Sequence, residues 1–305
     1  MTENASILTI EPTEVLRRYR LPSDLAQEPD LQAFASAKLR WSPEADIGYA
    51  FPLPDQETLN AFYSRTYRRL MNKKRDIGHY MSSPNYRAQS RSQVRWVQQV
   101  ANDEGSWLDV GAGLGLLLRT VQASMPQWSL HAVEPDEDGA GELRKFVELR
   151  NDFAALWAGS AYPQSYFDVI SLSHVLEHLV DPISSLKTLH RYLKPGGYLL
   201  LEVPNDPYRH LLSVHRTSDL PHLWFFSSKG LVQFVKAAGF DIERAAVLGI
   251  RRPGEATPFL TRARQMILRR IRGPLAMLDD SDWYAEDDNR CDLRILARKT
   301  ELDQL

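Results

Sequence analysis

The stretch LDVGAGLGLLL, residues 108–118, constrains the fold of this chain more than any other. An apolar run ends at Asp109, glycines follow at 111, 113 and 115, and an apolar helical pattern starts directly after them. Glycine has no Cβ and tolerates positive φ, so this spacing describes a sharp strand-to-helix turn along which a bulky ligand can lie. The start of the following helix offers free backbone N–H groups to a carboxylate or phosphate. The next apolar run ends at Glu134, about twenty residues on, where a carboxylate can accept from the vicinal hydroxyls of a ribose. A bare turn and a solvated Glu134 are the plain alternative, and the linked spacing of the two features argues against it. A dinucleotide site is less well supported, because its fingerprint is G-x-G-x-x-G and here the spacing is G-x-G-x-G, followed by Leu116.

From about residue 106 to 250, short apolar runs alternate with amphipathic stretches, the pattern of successive strand–helix units around a parallel sheet. The strands are expected at Trp107 to Val110, Ser129 to Glu134, Phe167 to Leu172, Tyr198 to Val203, Asp241 to Leu248 and Asp292 to Arg298. A helix over Pro182 to Leu193 has proline in its first turn, where a missing N–H costs nothing, and Lys194-Pro195-Gly196-Gly197 stops it. Ser227 is placed to cap another helix, with Leu231, Phe234, Val235 and Ala238 on its apolar face and Gly239 at its end. Upstream, helices are expected over Asp55 to Leu70, with Leu59, Phe62, Tyr63 and Tyr67 on one face, and over Arg87 to Ala101, burying Val94, Val97 and Val100. Pro12, Pro22, Pro29, Pro43, Pro52 and Pro54 break up the first sixty residues into short helices and loops. The chain thus divides into a mainly helical N-terminal appendage and lid, 1–85, and an α/β domain, 86–305, with insertions at about 206–226 and 251–289. The second insertion carries Arg262, Arg264, Arg269, Arg270 and Arg272, which read as a solvated basic face before they read as a site for an anionic substrate or lipid headgroup.

With 305 residues, 43% hydrophobic and 25% charged, there is ample material for a buried core, and a formal charge of −2 gives no general attraction to nucleic acid. Cys291 is the only cysteine, which excludes an internal disulfide and a cysteine-based zinc site; no metal is expected, and a reducing, cytoplasmic setting is. No apolar run has the length of a membrane-spanning helix, and the first thirty residues carry acids, prolines and arginines where a secretory leader would be apolar.

Four stretches in order, LDVGAGLG, AVEPD, FDVISLSHVLEHLVDP and LKPGGYLLLEVPN, resemble the motifs of class I S-adenosylmethionine-dependent methyltransferases. The likeness is to the small-molecule branch with a Leu-Glu-His-Leu motif (Methyltransferase domain 23-like) and covers residues 85–250 approximately. The resemblance implies a Rossmann-like, doubly wound, seven-stranded sheet whose final strand is antiparallel. It implies S-adenosyl-L-methionine as cofactor, S-adenosyl-L-homocysteine as product, and methyl transfer to an acceptor above the cofactor. Asp109, Gly111, Ala112, Gly113 and Gly115 would hold the methionine end, Glu134 and Pro135 the ribose, while Ser173 and His174 would line the cofactor. The acidic residue that often meets adenine after the third strand is replaced in AALWAGSAYP, where Ser160 is the expected substitute.

Displacement at a sulfonium needs alignment of donor and acceptor above all, and an oxygen or carbon acceptor gains further from proton removal. His178 is the candidate base, with His174 four residues before it, hence on one face if the stretch is helical. Glu177 between them is expected to point elsewhere and to serve a structural ion pair or helix-end bond. His222, Trp224 and Phe225 lie in an aromatic stretch expected to wall the acceptor, although Trp224 equally suits the core. His79 and Tyr80 are lid candidates. PLPDQETLNAFYSRTY resembles the segment that joins a zinc ribbon to the catalytic domain in sugar C-methyltransferases, but the cysteines of that ribbon are absent. The reading is an enzyme that methylates a small-molecule acceptor, such as a natural-product, glycan or lipid-linked intermediate, at oxygen, carbon or nitrogen. Peripheral contact with a lipid-linked substrate is compatible with it. The competing classes are a catalytically silent S-adenosylmethionine-binding partner or sensor and an NAD-dependent oxidoreductase. Nucleic acid is the least favoured partner, and the oligomeric state is not readable.

Overall fold

The computed structural model describes residues 8–10, 38–63, 78, 82–150, 153–206, 222–250, 284–286 and 292–300. Strands at residues 8–10 and 38–51 correct the expectation of short helices and loops there; the rest of the first thirty-seven residues lies outside the described ones. Three strands are described there, β1 (Leu8–Ile10), β2 (Lys38–Ser42) and β3 (Ile47–Phe51), followed by a helix, α1 (Gln56–Ala61). Pro43 belongs to a hairpin turn that ends at Asp46 with φ of 55°, and Trp41 and Ile47 on either side of the turn are buried. β3 pairs antiparallel with Trp224–Phe226, called β9 below, so the sheet runs β1-β2-β3-β9. A partner so distant in sequence cannot be seen from local propensity.

The helix α2 (Pro84–Gln98) precedes the main sheet. Val94 and Val97 are buried on it as expected, whereas Val100, just past the helix end, is exposed. The α/β units follow as β4 (Gly105–Val110), α3 (Leu116–Ser124), β5 (Trp128–Val133), α4 (Glu137–Leu143), β6 (Glu148–Arg150), α5 (Phe153–Ala158) and β7 (Phe167–Ser173). After β7 come a single 3-10 turn (Leu176–His178), α6 (Pro182–Tyr192), β8 (Leu193–Pro204), β9, α7 (Ser228–Ala237), β10 (Phe240–Ile250), β11 (Tyr284–Glu286) and β12 (Asp292–Lys299).

The sheet order is β11-β10-β12-β8-β7-β4-β5-β6. The five strands from β6 to β8 are parallel, and β12 inserts antiparallel between β8 and β10. This is the seven-stranded sheet with an antiparallel final strand, extended by the short β11. Successive residues of a strand face opposite sides, and the sequence uses both. Trp107, Val169 and Leu200 pack under α2 and α3, while their neighbours Leu108, Ile170 and Leu199 pack with α6 and α7. Both faces are therefore apolar, as a parallel sheet covered on both sides requires.

Ser227 caps α7 as expected, accepting from the Gly230 N–H at 3.0 Å, and its hydroxyl also lies 2.6 Å from the Asp46 carboxylate. That contact fastens the N-terminal hairpin to the main domain. Leu59 and Phe62 do the same from α1, in a small apolar cluster with Leu223.

Candidate active site

The glycine loop leaves β4 and is tied at once to its neighbour, the Gly111 N–H donating to the Val133 carbonyl at 2.7 Å. Gly111 has φ of +70°, and a Cβ there would lie 2.5 Å from Val175 Cγ2, so the position takes no side chain. Gly113, at φ of +56°, has open space where a Cβ would stand. Its N–H donates to Glu134 Oε2 at 2.6 Å, and the Asp136 N–H donates to Oε1 at 2.9 Å. Glu134 is thus held against a loop residue that borders empty space. Ala112 is half-buried in the loop, Gly115 is the αL cap of α3, and exposed Pro135 leads into Asp136, which caps α4.

Asp109 lies beneath this loop, buried, with Ser171 Oγ donating to its Oδ1 at 2.7 Å. Burial pushes its carboxyl up to about 7; the Ser171 hydrogen bond opposes the rise and the Glu134 charge adds to it. Ser173 and His174 end β7 on the same side of the sheet, and the Ser173 hydroxyl accepts from Gln93 on α2 at 3.0 Å. Ser160 is not in this group. It follows α5, its N–H bonds back to Ala155 at 3.0 Å, and its neighbour Ala161 donates to Tyr192 Oη, next to the N-terminal ends of β7 and β8. The six residues of α5 carry the chain away from the strand ends where the glycine loop lies, which corrects its adenine assignment.

The histidines converge on Glu177. His174 is not helical: φ is +56°, its N–H donates to the Glu202 carbonyl, and the 3-10 turn follows it. With the αL backbone at His174 and the 3-10 turn after it, Glu177 points among the histidines and not away from them. Its Oε1 lies 3.6 Å from His174 Nδ1, 3.7 Å from His178 Nε2 and 3.9 Å from His222 Nε2. Glu177 is fully buried, yet neither carboxylate oxygen has a hydrogen-bond partner. Burial would raise its pKa, but the charge of His178, followed by contacts with His174 and His222, brings it down to about 2. His174 is likewise disfavoured as a cation by desolvation, and the Glu177, Asp292 and Glu202 carboxylates override this, holding it above the ordinary imidazole value.

His222 reaches the cluster because its strand is pinned there. The Leu223 N–H donates to the Glu177 carbonyl at 2.8 Å, and the Trp224 indole N–H donates to the Leu179 carbonyl at 2.8 Å. Trp224 packs against Tyr49 and Phe234, an anchoring role, while Phe225 and Tyr63 border the imidazoles of His222 and His178 respectively. His79 and Tyr80 lie outside the described residues.

Sequence reasoning missed the support under His174. Glu202 on β8 and Arg294 on β12 sit opposite each other, both fully buried and ion-paired. Gln89 Nε2 donates to Glu202, and Arg294 Nη1 donates to Ser92 Oγ at 2.8 Å. Burial would raise Glu202, but the Arg294 charge holds it below the ordinary carboxylate value. A lone acid in LLLEVP and a lone arginine in DLRILA, each within an apolar strand, were the available signal.

A methyltransferase-domain family profile matches residues 79–245, more than half of the chain. This chain belongs to that methyltransferase family. Among curated relatives, a ubiquinone biosynthesis O-methyltransferase of Pseudomonas syringae pv. tomato is 30% identical over 136 residues, 40% of this chain and 54% of that protein. An uncharacterized methyltransferase of Schizosaccharomyces pombe is 36% identical over 103 residues, 30% of this chain and 37% of that protein. A tRNA U34 carboxymethyltransferase of Hydrogenovibrio crunogenus is 34% identical over 90 residues, 28% of this chain and 27% of that protein. The matched stretches thus span about half or less of these relatives. The methyltransferase solved with the Trm112 activator of Haloferax volcanii shares the fold at a TM-score of 0.51 and 16% identity, over 72% of this chain and 91% of that one. The family and the fold imply S-adenosylmethionine as the cofactor of this methyltransferase, and the open space beside Gly113, bordered by Glu134, fits such a group. No helix among the described residues is long and apolar enough to cross a membrane.

Proposed function

We propose that this methyltransferase transfers a methyl group from S-adenosylmethionine to a small-molecule acceptor bound beside His178 and His222. The observation that carries the reading is the placement of two unlike sites at one edge of the sheet. A glycine loop with room beside it and a fixed carboxylate lies after β4 and β5, and an imidazole cluster lies after β7. Open α/β sheets bind ligands at the C-terminal ends of their strands. S-adenosylmethionine, when bound, supplies a methyl group on a sulfonium. Glu134 would accept from the ribose hydroxyls, exchanging its bond to Gly113, while the Gly111 to Gly115 loop and Asp109 hold the methionine end. Ser173 and His174 would line the cofactor from β7. His178 and His222 stand at the acceptor, and its proton leaves there.

A small acceptor is supported by the likeness to ubiquinone biosynthesis O-methyltransferases, and the overall charge of −2 offers no attraction for a nucleic acid backbone. Calorimetric titration of the purified chain with S-adenosylmethionine, S-adenosylhomocysteine and NAD tests the cofactor. The first two are expected to bind at one site per chain and NAD not at all. Binding of NAD alone would move the assignment to an oxidoreductase.

A further inference from the structure

Glu177 is the least satisfied group in the described molecule: a fully buried carboxylate, both oxygens without a hydrogen bond, and imidazole nitrogens from two separate segments within 4 Å. An orphaned buried carboxylate is costly, and each such group asks for a missing partner such as an ion. We propose that Glu177, His178 and His222 form a binding site for a divalent first-row cation of the zinc class on the acceptor side of the crevice.

The ligand atoms already have the right identity and nearly the right spacing. One ligand atom from each of Glu177, His178 and His222 lies within 4.8 Å of the other two, and Glu177 Oε1 is 3.7 Å from His178 Nε2 and 3.9 Å from His222 Nε2. A tetrahedral ion about 2.0–2.1 Å from each ligand wants them roughly 3.3 Å apart, so each imidazole must approach the carboxylate by about half an ångström. Two imidazoles and one carboxylate favour zinc or iron over magnesium and calcium, which take oxygen ligands. Backbone bonds fix the arrangement beforehand: Leu223 N–H to the Glu177 carbonyl, and His178 N–H to the Val175 carbonyl. The His178 and His222 side chains keep 14% and 11% exposure, so the site is reachable. The neighbouring group of His174, Glu202 and Asp292 is a poorer candidate, because Arg294 already neutralises Glu202.

Three protein ligands leave a coordination position open, as in catalytic and not structural zinc sites. This deepens the proposed function and rests on it: the acceptor would be a hydroxyl compound, its oxygen binding the ion and its proton released to solvent. That oxygen then uses an electron pair to form a bond to the methyl carbon as the carbon–sulfur bond breaks and its electrons return to sulfur. His178 acts here as a ligand and not as a base.

The test strips the full chain with a chelator and adds back Zn2+, Co2+ or Mg2+, reading stoichiometry by elemental analysis and the visible d–d absorption of bound Co2+. One Zn2+ or Co2+ per chain is expected, with no binding of Mg2+. Glu177→Gln and His222→Ala should each weaken it by more than the roughly 10–100-fold typical of losing an outer-shell partner. Only variants that keep S-adenosylhomocysteine affinity are compared, and His222→Asn replaces any that does not. Absence of stoichiometric binding by the parent chain, or unchanged affinity in either variant, overturns the site. Cofactor titration of the stripped chain separates the two readings: intact S-adenosylmethionine binding without metal binding leaves the methyltransferase assignment standing and removes only the ion.

Discussion

The crevice beside Gly113 and the histidine cluster around Glu177 lie at the same edge of one sheet, but they are held together differently. In the crevice, Glu134 is satisfied by two backbone N–H groups within 2.6–2.9 Å, one from Gly113 in the loop it faces and one from Asp136 two residues on. In the cluster, Glu177 meets side chains only, at 3.6–3.9 Å, one of them from His222, two residues before β9. Backbone donors are set by the fold itself and cost little to order, whereas long side chains from separate segments must be fixed by their own surroundings. The crevice is therefore complete once the strands are, while the cluster depends on distant packing.

The largest expected effect tests the side-chain-built half. Arg294→Ala leaves Glu202 buried without its counter-charge beneath His174, and should cost about 3–5 kcal/mol of unfolding free energy in urea titrations. A loss under about 1 kcal/mol would mean that Gln89 alone satisfies Glu202, and the contrast between the halves would fail. Asp109 is the exception within the crevice, since burial lifts it from 3.8 to about 7. Between those pH values the folded state keeps a proton that the unfolded chain has lost, so stability falls as pH rises from 3.8 to about 7 and levels off above. At about 1.4 kcal/mol per pKa unit the fall is a few kcal/mol, and Asp109→Asn should flatten it in denaturant titrations across that window. Glu134→Ala should weaken S-adenosylmethionine binding by about 1–3 kcal/mol with little change in melting temperature; unchanged affinity in a folded variant would sink the ribose assignment. The smallest effect is Ser227→Ala, which removes the cap of α7 and its contact with Asp46 and should cost about 1 kcal/mol, read from the shift in urea midpoint.

The same contrast decides what the sequence made legible. β4, β5, β7 and β8 were readable because their apolar runs end in turn residues, and the glycine spacing placed the loop directly. The cap at Ser227 and the stop before Lys194 followed from single residues acting locally. The β2–β3 hairpin was misread because its prolines suggested breaks and its pairing partner lies at 224–226. The direction of Glu177 was not legible, because LSHVLEHL reads as a helix while the αL backbone at His174 interrupts it and a 3-10 turn follows. Ser160 was placed by analogy of position in the chain, and the intervening α5 moves it to the wrong end of the sheet.

The pairing of β3 with β9 has a consequence for exchanging specificity between relatives. Residues 47–49 and 224–226 form one ladder, and Ser227 clasps Asp46 at its margin. A chimera that transplants only the stretch around His222 would arrive without the edge it hydrogen-bonds to, and a chimera that swaps only the N-terminal hairpin would strip β9 of its neighbour. The smallest exchangeable unit is therefore discontinuous: 38–63 together with 222–230, moved as a pair.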